Sequence, residues 1–376
     1  YVSFTRKRIG RNTHRVRFGD EELDIKWTDE CSVFQGAMPA AVNSLTLDSN
    51  GIFGELYPSG NVKQADKFVV EVQPLLDALK TSSITSLSLR STGMGVKGVV
   101  AVADAIRATP ALNSLRCGSN PITDTGMIPL LDAVKGIGLT ELDISNTKVG
   151  PPTAAKLAEV LADGTPFSAA LTMACVIGNP IGSDGAKLLI EVFDSHPKLQ
   201  SLCGISPGST TVDLSNSNMG PADCLILTHE LQAGRATAAL ARVSVLSNPI
   251  GIDGADALIE VFEQNTNLRT LLGIEEGVTE LNLSEKNVDP GQAKILAAEL
   301  KASRAVAAIA SLIISANRDI GEAGADPLMD IIRETQNKTI VNIQHDGCNI
   351  REEASKFFNH WPKLSSWAPD NAIEDT

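Results

Sequence analysis

The apolar positions of this chain fall into one motif that returns along most of its length. Written out, it is apolar-x-x-apolar-x-apolar-x-x-Asn-x-apolar. Val42-x-x-Leu45-x-Leu47-x-x-Asn50-x-Ile52 is the first copy and Ile84-x-x-Leu87-x-Leu89-x-x-Thr92-x-Met94 the second. Further copies open at Leu112, Leu139, Leu171, Leu240 and Ile309, shortened ones at Val212 and Leu281, and a last at Ile340, closing on Cys348-x-Ile350. The alternation at Leu45-x-Leu47 predicts a short strand with both leucines on one face. Each Asn is expected to bond backbone groups where the strand turns away, with Thr92, Thr147 and Cys348 doing a weaker version. The stretch after each turn predicts a helix. Ala186, Leu189, Ile190 and Phe193 fall at i, i+3, i+4 and i+7, one apolar face. Ala255, Leu258, Ile259 and Phe262 repeat it, with Asp184 and Asp253 at an N-cap or first-turn position. One strand and one helix cannot bury themselves, so about ten such repeats, over residues 42–350, are expected to stack into one continuous core.

A longer period lies over the short one. Asn179-Pro180-Ile181-Gly182 returns as Asn248-Pro249-Ile250-Gly251, and residues 176–241 agree with 245–310 at 33 of 66 positions. These residues resemble the leucine-rich-repeat family, and the Gly-Ala helix openings resemble its ribonuclease-inhibitor-like branch. The resemblance implies an α/β fold: a leucine-rich-repeat solenoid, or horseshoe, with a concave parallel β-sheet and convex helices. The same openings also resemble the Ran GTPase-activating branch, although no Asn-Asn pair follows the strand here.

The spacing of the Asn-equivalent positions runs from 27 to 42 residues. Two 38-residue repeats carry apparent insertions, Gly204–Ser209 and Gly273–Val278, and the 42-residue first repeat carries one around 53–61. Such insertions gather on a rim and serve binding, or else are loops inherited through duplication.

Charge marks the chain ends. The net charge is −13, yet Arg6, Lys7, Arg8, Arg11, Arg15 and Arg17 precede the first acid, leaving about −19 on the rest. That body argues against nucleic acid or an anionic membrane as partner, and no apolar run is long enough to span a bilayer. Residues 1–41 divide into a basic docking arm for an acidic partner (residues 1–11) and a capping hairpin around Gly19-Asp20. An organelle-targeting remnant is the other reading of the basic stretch, since the chain opens on Tyr1. Residues 351–376, with Phe357, Phe358, Trp361 and Trp367, are expected to form an aromatic cap and tail. Six scattered cysteines without C-x-x-C spacing point to a reduced, intracellular protein, cytoplasmic or organellar, without a metal site.

No catalytic or cofactor motif stands in the chain. His196 and His229 are expected in solvent, and His345 on the concave face. The outward strand positions are small and polar for the most part, among them Ser88, Arg90, Arg116, Glu141, Asp143 and Ser145, and suit a protein partner better than a deep pocket. Partner contacts are expected from Arg6, Lys7, Arg8 and Arg11 in the arm. Apolar spots are expected at Met173, Ile177, Leu246 and Ile313 on the sheet. Pro207, Glu275 and Glu276 in the insertions and Trp361 and Trp367 in the tail complete the set. The expected role is a non-enzymatic scaffold subunit of a multi-protein complex. A GTPase-activating protein and the ligand-sensing repeat region of a signalling protein are the alternatives.

Overall fold

A computed structural model describes residues 2–5, 13–18, 21–26, 42–162, 164–334, 340 and 342–364, in two compact units, Tyr1–Ser206 and Pro207–Thr376. The first unit begins with β1 (Val2–Thr5), β2 (Thr13–Phe18) and β3 (Glu21–Lys26). Repeating strand–turn–helix follows: β4 (Ser44–Thr46), a small hairpin of β5 (Glu55–Leu56) and β6 (Val62–Gln64), then α1 (Val69–Lys80). Next come β7 (Ser86–Ser88), α2 (Val96–Ile106), β8 (Ser114–Arg116), α3 (Thr123–Val134) and β9 (Glu141–Asp143). The unit closes with α4 (Pro151–Ala162), α5 (Pro166–Ala170), β10 (Met173–Cys175) and α6 (Gly182–Ser195). Its sheet runs β10-β9-β8-β7-β4-β1-β2-β3, parallel from β10 to β1. Leu45, Leu87, Leu115, Leu142 and Ala174 occupy the same register position and are all buried. β2 and β3 pair antiparallel, with Phe18 opposite Glu21, while Gly19 and Asp20 lie outside the described residues. Residues 2–5, however, are not a free arm: they form a strand against β4, so backbone pairing claims them. Arg6, Lys7, Arg8 and Arg11 lie outside the described residues.

The second unit contains β11 (Thr211–Asp213), α7 (Pro221–Ala233), β12 (Arg242–Ser244) and α8 (Gly251–Gln264). It continues with β13 (Glu280–Asn282), α9 (Pro290–Ala302), β14 (Ser311–Ile313), α10 (Gly321–Glu334), β15 (Asn342–Gln344) and α11 (Glu352–Leu364). Both units are stretches of α/β repeat solenoid.

The Asn side chains stitch adjacent repeats together. Asn120, 1% exposed, accepts the backbone N–H of Thr92 and of Met94, each at 3.0 Å. Its amide donates to Leu89 O (2.7 Å) one repeat back and to Cys117 O (2.9 Å) in its own. Asn179, Asn248 and Asn317 repeat the pattern. Thr92 and Thr147 donate within their own strand, to Leu89 O and Ile144 O, and at 3.4 Å to the Asn of the following repeat, Asn120 and Asn179. A second signature was not visible in the motif. The residue just before each Asn-equivalent position is left-handed: Ser49, Ser91, Ser119, Asn146, Asn216, Ser247, Glu285 and Ala316 have φ between 52° and 59°. Most donate their N–H to the next repeat, as Ala316 does to Asp346 O at 2.6 Å, which holds the strained conformation in place. A left-handed L-residue costs roughly 1–2 kcal/mol, and glycine's extra freedom when unfolded returns roughly 0.4–1 of that. Ala316→Gly is therefore expected to stabilise the protein by about 0.5–1 kcal/mol, read as a higher urea midpoint at unchanged slope.

The two long repeats differ from expectation. Ser201–Cys203 runs beside β10, with Ala174 N–H to Ser201 O at 2.8 Å and Val176 N–H to Leu202 O at 3.0 Å. Thr270–Leu272 runs beside β12 in the same way, with Val243 N–H to Thr270 O at 3.0 Å. Each is a bare rung, with its leucines buried (Leu199 and Leu202; Leu268 and Leu271) but no Asn turn and no helix. The full motif does not mark them, because only its Leu-x-x-Leu half is present. In the second unit the ladder stops at this rung: β11–β12 and β13–β15 are separate sheets.

Helix starts are capped from neighbouring repeats. The Asp66 carboxylate accepts the N–H of Gly95 (2.7 Å), Lys97 (2.8 Å) and Gly98 (2.9 Å) at the start of α2. The first-repeat insertion thus ends in a cap, with Phe53 fully buried beneath it. Asp124 does the same for α4 through Gly150 N–H and Thr153 N–H. In the second unit Asp289 accepts Gly251 N–H at 2.8 Å, and Gln292 donates to Val245 O (2.9 Å) and Asn248 O (3.1 Å).

Candidate functional site

The outward face of the first unit's sheet gathers five charges on neighbouring strands. In register, Ser88, Arg116 and Asp143 stand side by side on β7, β8 and β9. Arg116 Nε donates to Glu141 Oε1 at 2.7 Å, and Ser114 Oγ to Glu141 Oε2 at 2.8 Å. Arg90, two residues past Ser88, reaches across β8 to Asp143. That reach depends on Gly118, where a Cβ would come within 2.7 Å of Ser145 Oγ and 3.0 Å of Asp143 Oδ2. The other Asp143 oxygen accepts Ser145 N–H (2.9 Å) and Ser145 Oγ (2.6 Å). Asp48 accepts from Ser88 Oγ at 2.7 Å and from Arg90 N–H at 2.8 Å.

Depth separates the signs. Asp143 and Glu141 side chains are 5% and 19% exposed, whereas Arg90 and Arg116 are 42% and 47% exposed. The carboxylates lie beneath and the guanidiniums stand at the surface, fixed from below. Hydrogen bonding to Glu141 raises the Arg116 pKa further, so its charge is permanent. Beside them opens a hollow of about 240 Å³, edged by Met173, Cys175, Gly204 and Ser206. Burial pushes the Cys175 thiol up to about 12, which makes it a poor nucleophile. A second hollow, of about 580 Å³, lies by the ends of α4, α5 and α6, next to Ser168, His196 and Lys198.

The expected contact residues are scattered. Met173 is half-buried at the edge of the first hollow, but Ile177 is 1% exposed and belongs to the core, which corrects its reading as an open apolar spot. The strand alternation ends at Cys175, before Ile177, so parity no longer sets which way that side chain faces. Pro207 is exposed in the second unit, where Leu246 and Ile313 are half-buried. Glu275 and Glu276 are exposed and pair with Arg242 (3.0 Å) and Arg269 (2.7 Å). Trp361 lies in α11, but its side chain, like all of Trp367, falls outside the described residues.

Two histidines also depart from expectation. His196 is 6% exposed: Nδ1 accepts Leu199 N–H at 3.0 Å, so Nε2 carries the proton and donates to Ser168 O at 2.8 Å. His345 is 8% exposed and packs on Phe358 of α11 at 5.6 Å, turned to the core and not to the open face. Among the described residues no group of His, Cys, Asp and Glu could hold a metal, and no helix is long and apolar enough to cross a membrane.

The sequence reading had each member of the Arg90–Asp143 and Arg116–Glu141 pairs as an outward residue without pairing them. The available signal was the register itself: basic residues on two strands and acids on the next, with a glycine between.

No family model matches the chain. It is similar to NACHT, LRR and PYD domains-containing protein 5 of Homo sapiens, at 26% identity over 199 residues, 52% of this chain and 15% of that protein. It is also similar to the Ran GTPase-activating protein of Drosophila melanogaster, at 25% identity over 217 residues, 53% of this chain and 34% of that protein. The chain therefore matches about a third or less of each relative's length. The repeats themselves, and the repeat-bearing human relative, agree on a leucine-rich-repeat α/β solenoid.

Proposed function

We propose that this chain is a non-catalytic protein-binding platform of the ribonuclease-inhibitor-like kind, acting as a scaffold subunit in a larger intracellular assembly. The observation that carries the reading is the half-exposed pair of Arg90 and Arg116, each held upright by a covered carboxylate. A partner that meets them finds side chains already ordered, so little rotamer freedom is lost on binding. Arginine is also the charged residue most often found at interface hot spots. Around the pair, Ser44, Ser86 and Ser114 are small and half-buried and leave the sheet open to another protein's surface.

The test is a comparison of full-length chains in capture experiments. The Arg90→Glu, Arg116→Glu double variant is expected to lose about tenfold or more affinity for the partner recovered by the unmodified chain. Glu275→Lys, Glu276→Lys should bind as before. Undiminished binding by the first variant, with its thermal unfolding unchanged, would remove the site from the reading. The likeness to the Drosophila protein supports a second reading, GTPase activation. Recovery of a GTPase whose hydrolysis the chain accelerates would favour it. The likeness to the human protein leaves a ligand-sensing repeat region as a third.

A further inference from the structure

We propose that Glu299 is a proton-operated latch on the break between the two sheets of the second unit. It projects from α9 to the bare rung at 270–272, where the strand ladder stops. Leu271 and Leu272 have no next strand to receive their N–H groups, and one oxygen of Glu299 accepts both, at 2.6 and 3.0 Å. Thr270 Oγ1 lies 2.9 Å from each carboxyl oxygen, and itself accepts Leu272 N–H (3.0 Å) and Ile274 N–H (3.2 Å). Glu299 is 1% exposed. The duplication keeps the acid: Glu230 on α7, one 69-residue period earlier, is also 1% exposed. It keeps the hydroxyl too, since Ser201 Oγ accepts Cys203 N–H (3.1 Å) and Ile205 N–H (2.9 Å).

No charged side chain among the described residues contributes to the titration of Glu299. Lys294, on the same helix, is on Asp256 of α8. Arg269 is on Glu276, and Arg304 is on the carbonyls at the end of α8. Burial therefore dominates and pushes the carboxyl up from 4.5 to about 7, against the hydrogen bonds from Leu271, Thr270 and Leu272 that favour the anion. The neutral acid, protonated on Oε2, still accepts through Oε1 from both N–H groups and from the Thr270 hydroxyl. The closed state thus binds the proton more tightly than the open one. The latch is strongest below about pH 4.5 and weakens as pH rises through about 7. An open latch frees the rung and bares the N–H groups of Val243 and Val245, which now bond Thr270 O and Leu271 O. That is an edge able to accept an extended strand.

Hydrogen exchange on the full chain tests this, after correction for intrinsic rates. Protection of the Val243, Val245, Leu271 and Leu272 amides is expected to fall about tenfold between pH 6 and pH 8. Protection of Ile314, bonded to Gln344 O between β14 and β15, should stay constant. Glu299→Gln mimics the protonated form and should abolish the pH dependence. Flat protection in the unmodified chain, or an equal slope in the variant, overturns the latch. Should the variant not fold, the carboxyl carbon shift of Glu299 in the unmodified chain decides: a midpoint near 7 supports the latch and one near 4.5 overturns it.

Discussion

Replacing Asn120 by alanine is expected to lower the stability of the first unit by about 3–5 kcal/mol. The side chain is buried, and its amide joins two repeats at once. Alanine leaves Thr92 N–H and Met94 N–H without an acceptor and Cys117 O without a donor, while Leu89 O keeps only the Thr92 hydroxyl. Each orphaned buried group costs roughly 1–3 kcal/mol, and some relaxation brings the total below the sum. Asn120→Thr should be milder, by about half, because Thr92 and Thr147 show what a hydroxyl does there: it serves its own strand and leaves the preceding repeat unserved. Urea unfolding followed by circular dichroism reads the loss, and exchange at the Thr92 and Met94 amides localises it. Equal stability of the alanine and unmodified chains would mean that these turns close without the stitch.

Arg304→Ala is expected to cost the second unit about 2–4 kcal/mol. Nη1 of Arg304 donates to Phe262 O, Asn265 O and Leu268 O, each at 2.8 Å. These carbonyls lie at the end of α8 and in the turn after it, where no helical partner remains. The guanidinium also stacks on the Phe262 ring at 4.3 Å. Lysine has the charge but neither the plane nor the fork, so Arg304→Lys should recover less than half. Thermal unfolding of the three chains side by side checks the order, and a lysine variant as stable as the original would reduce the site to its charge.

The strand cores, the Asn stitches and the helix stripes were legible because each is a local pattern with one period. Leu45, Leu87 and Leu115 are buried where alternation puts them, and Ala186, Leu189 and Phe193 where helical spacing does. Ile177 and His196 were not legible, since both lie where a regular element gives way to a turn and parity no longer decides direction. The bare rungs were missed because half a motif looks like a loop. The candidate site was the least legible part. Arg90 and Asp143 are 53 residues apart, and their pairing rests on register and on one missing side chain at Gly118. Arg304 and Glu299 were invisible for a related reason: what they bond is backbone, which leaves no mark on its own sequence.

The caps between α8 and α9 bear on how such a chain can grow. Asp289 and Gly251 are 38 residues apart, and Gln292 stands 44 and 47 residues from its acceptors. These spans match or exceed a single repeat and fall short of 69 residues. A copying event that took one repeat would separate donors from acceptors and deliver a segment with buried polar groups unmet. Copying a pair brings both ends of every such bond. The 69-residue period is then long enough to hold both ends of these bonds, and a natural increment for lengthening or shortening the chain by design.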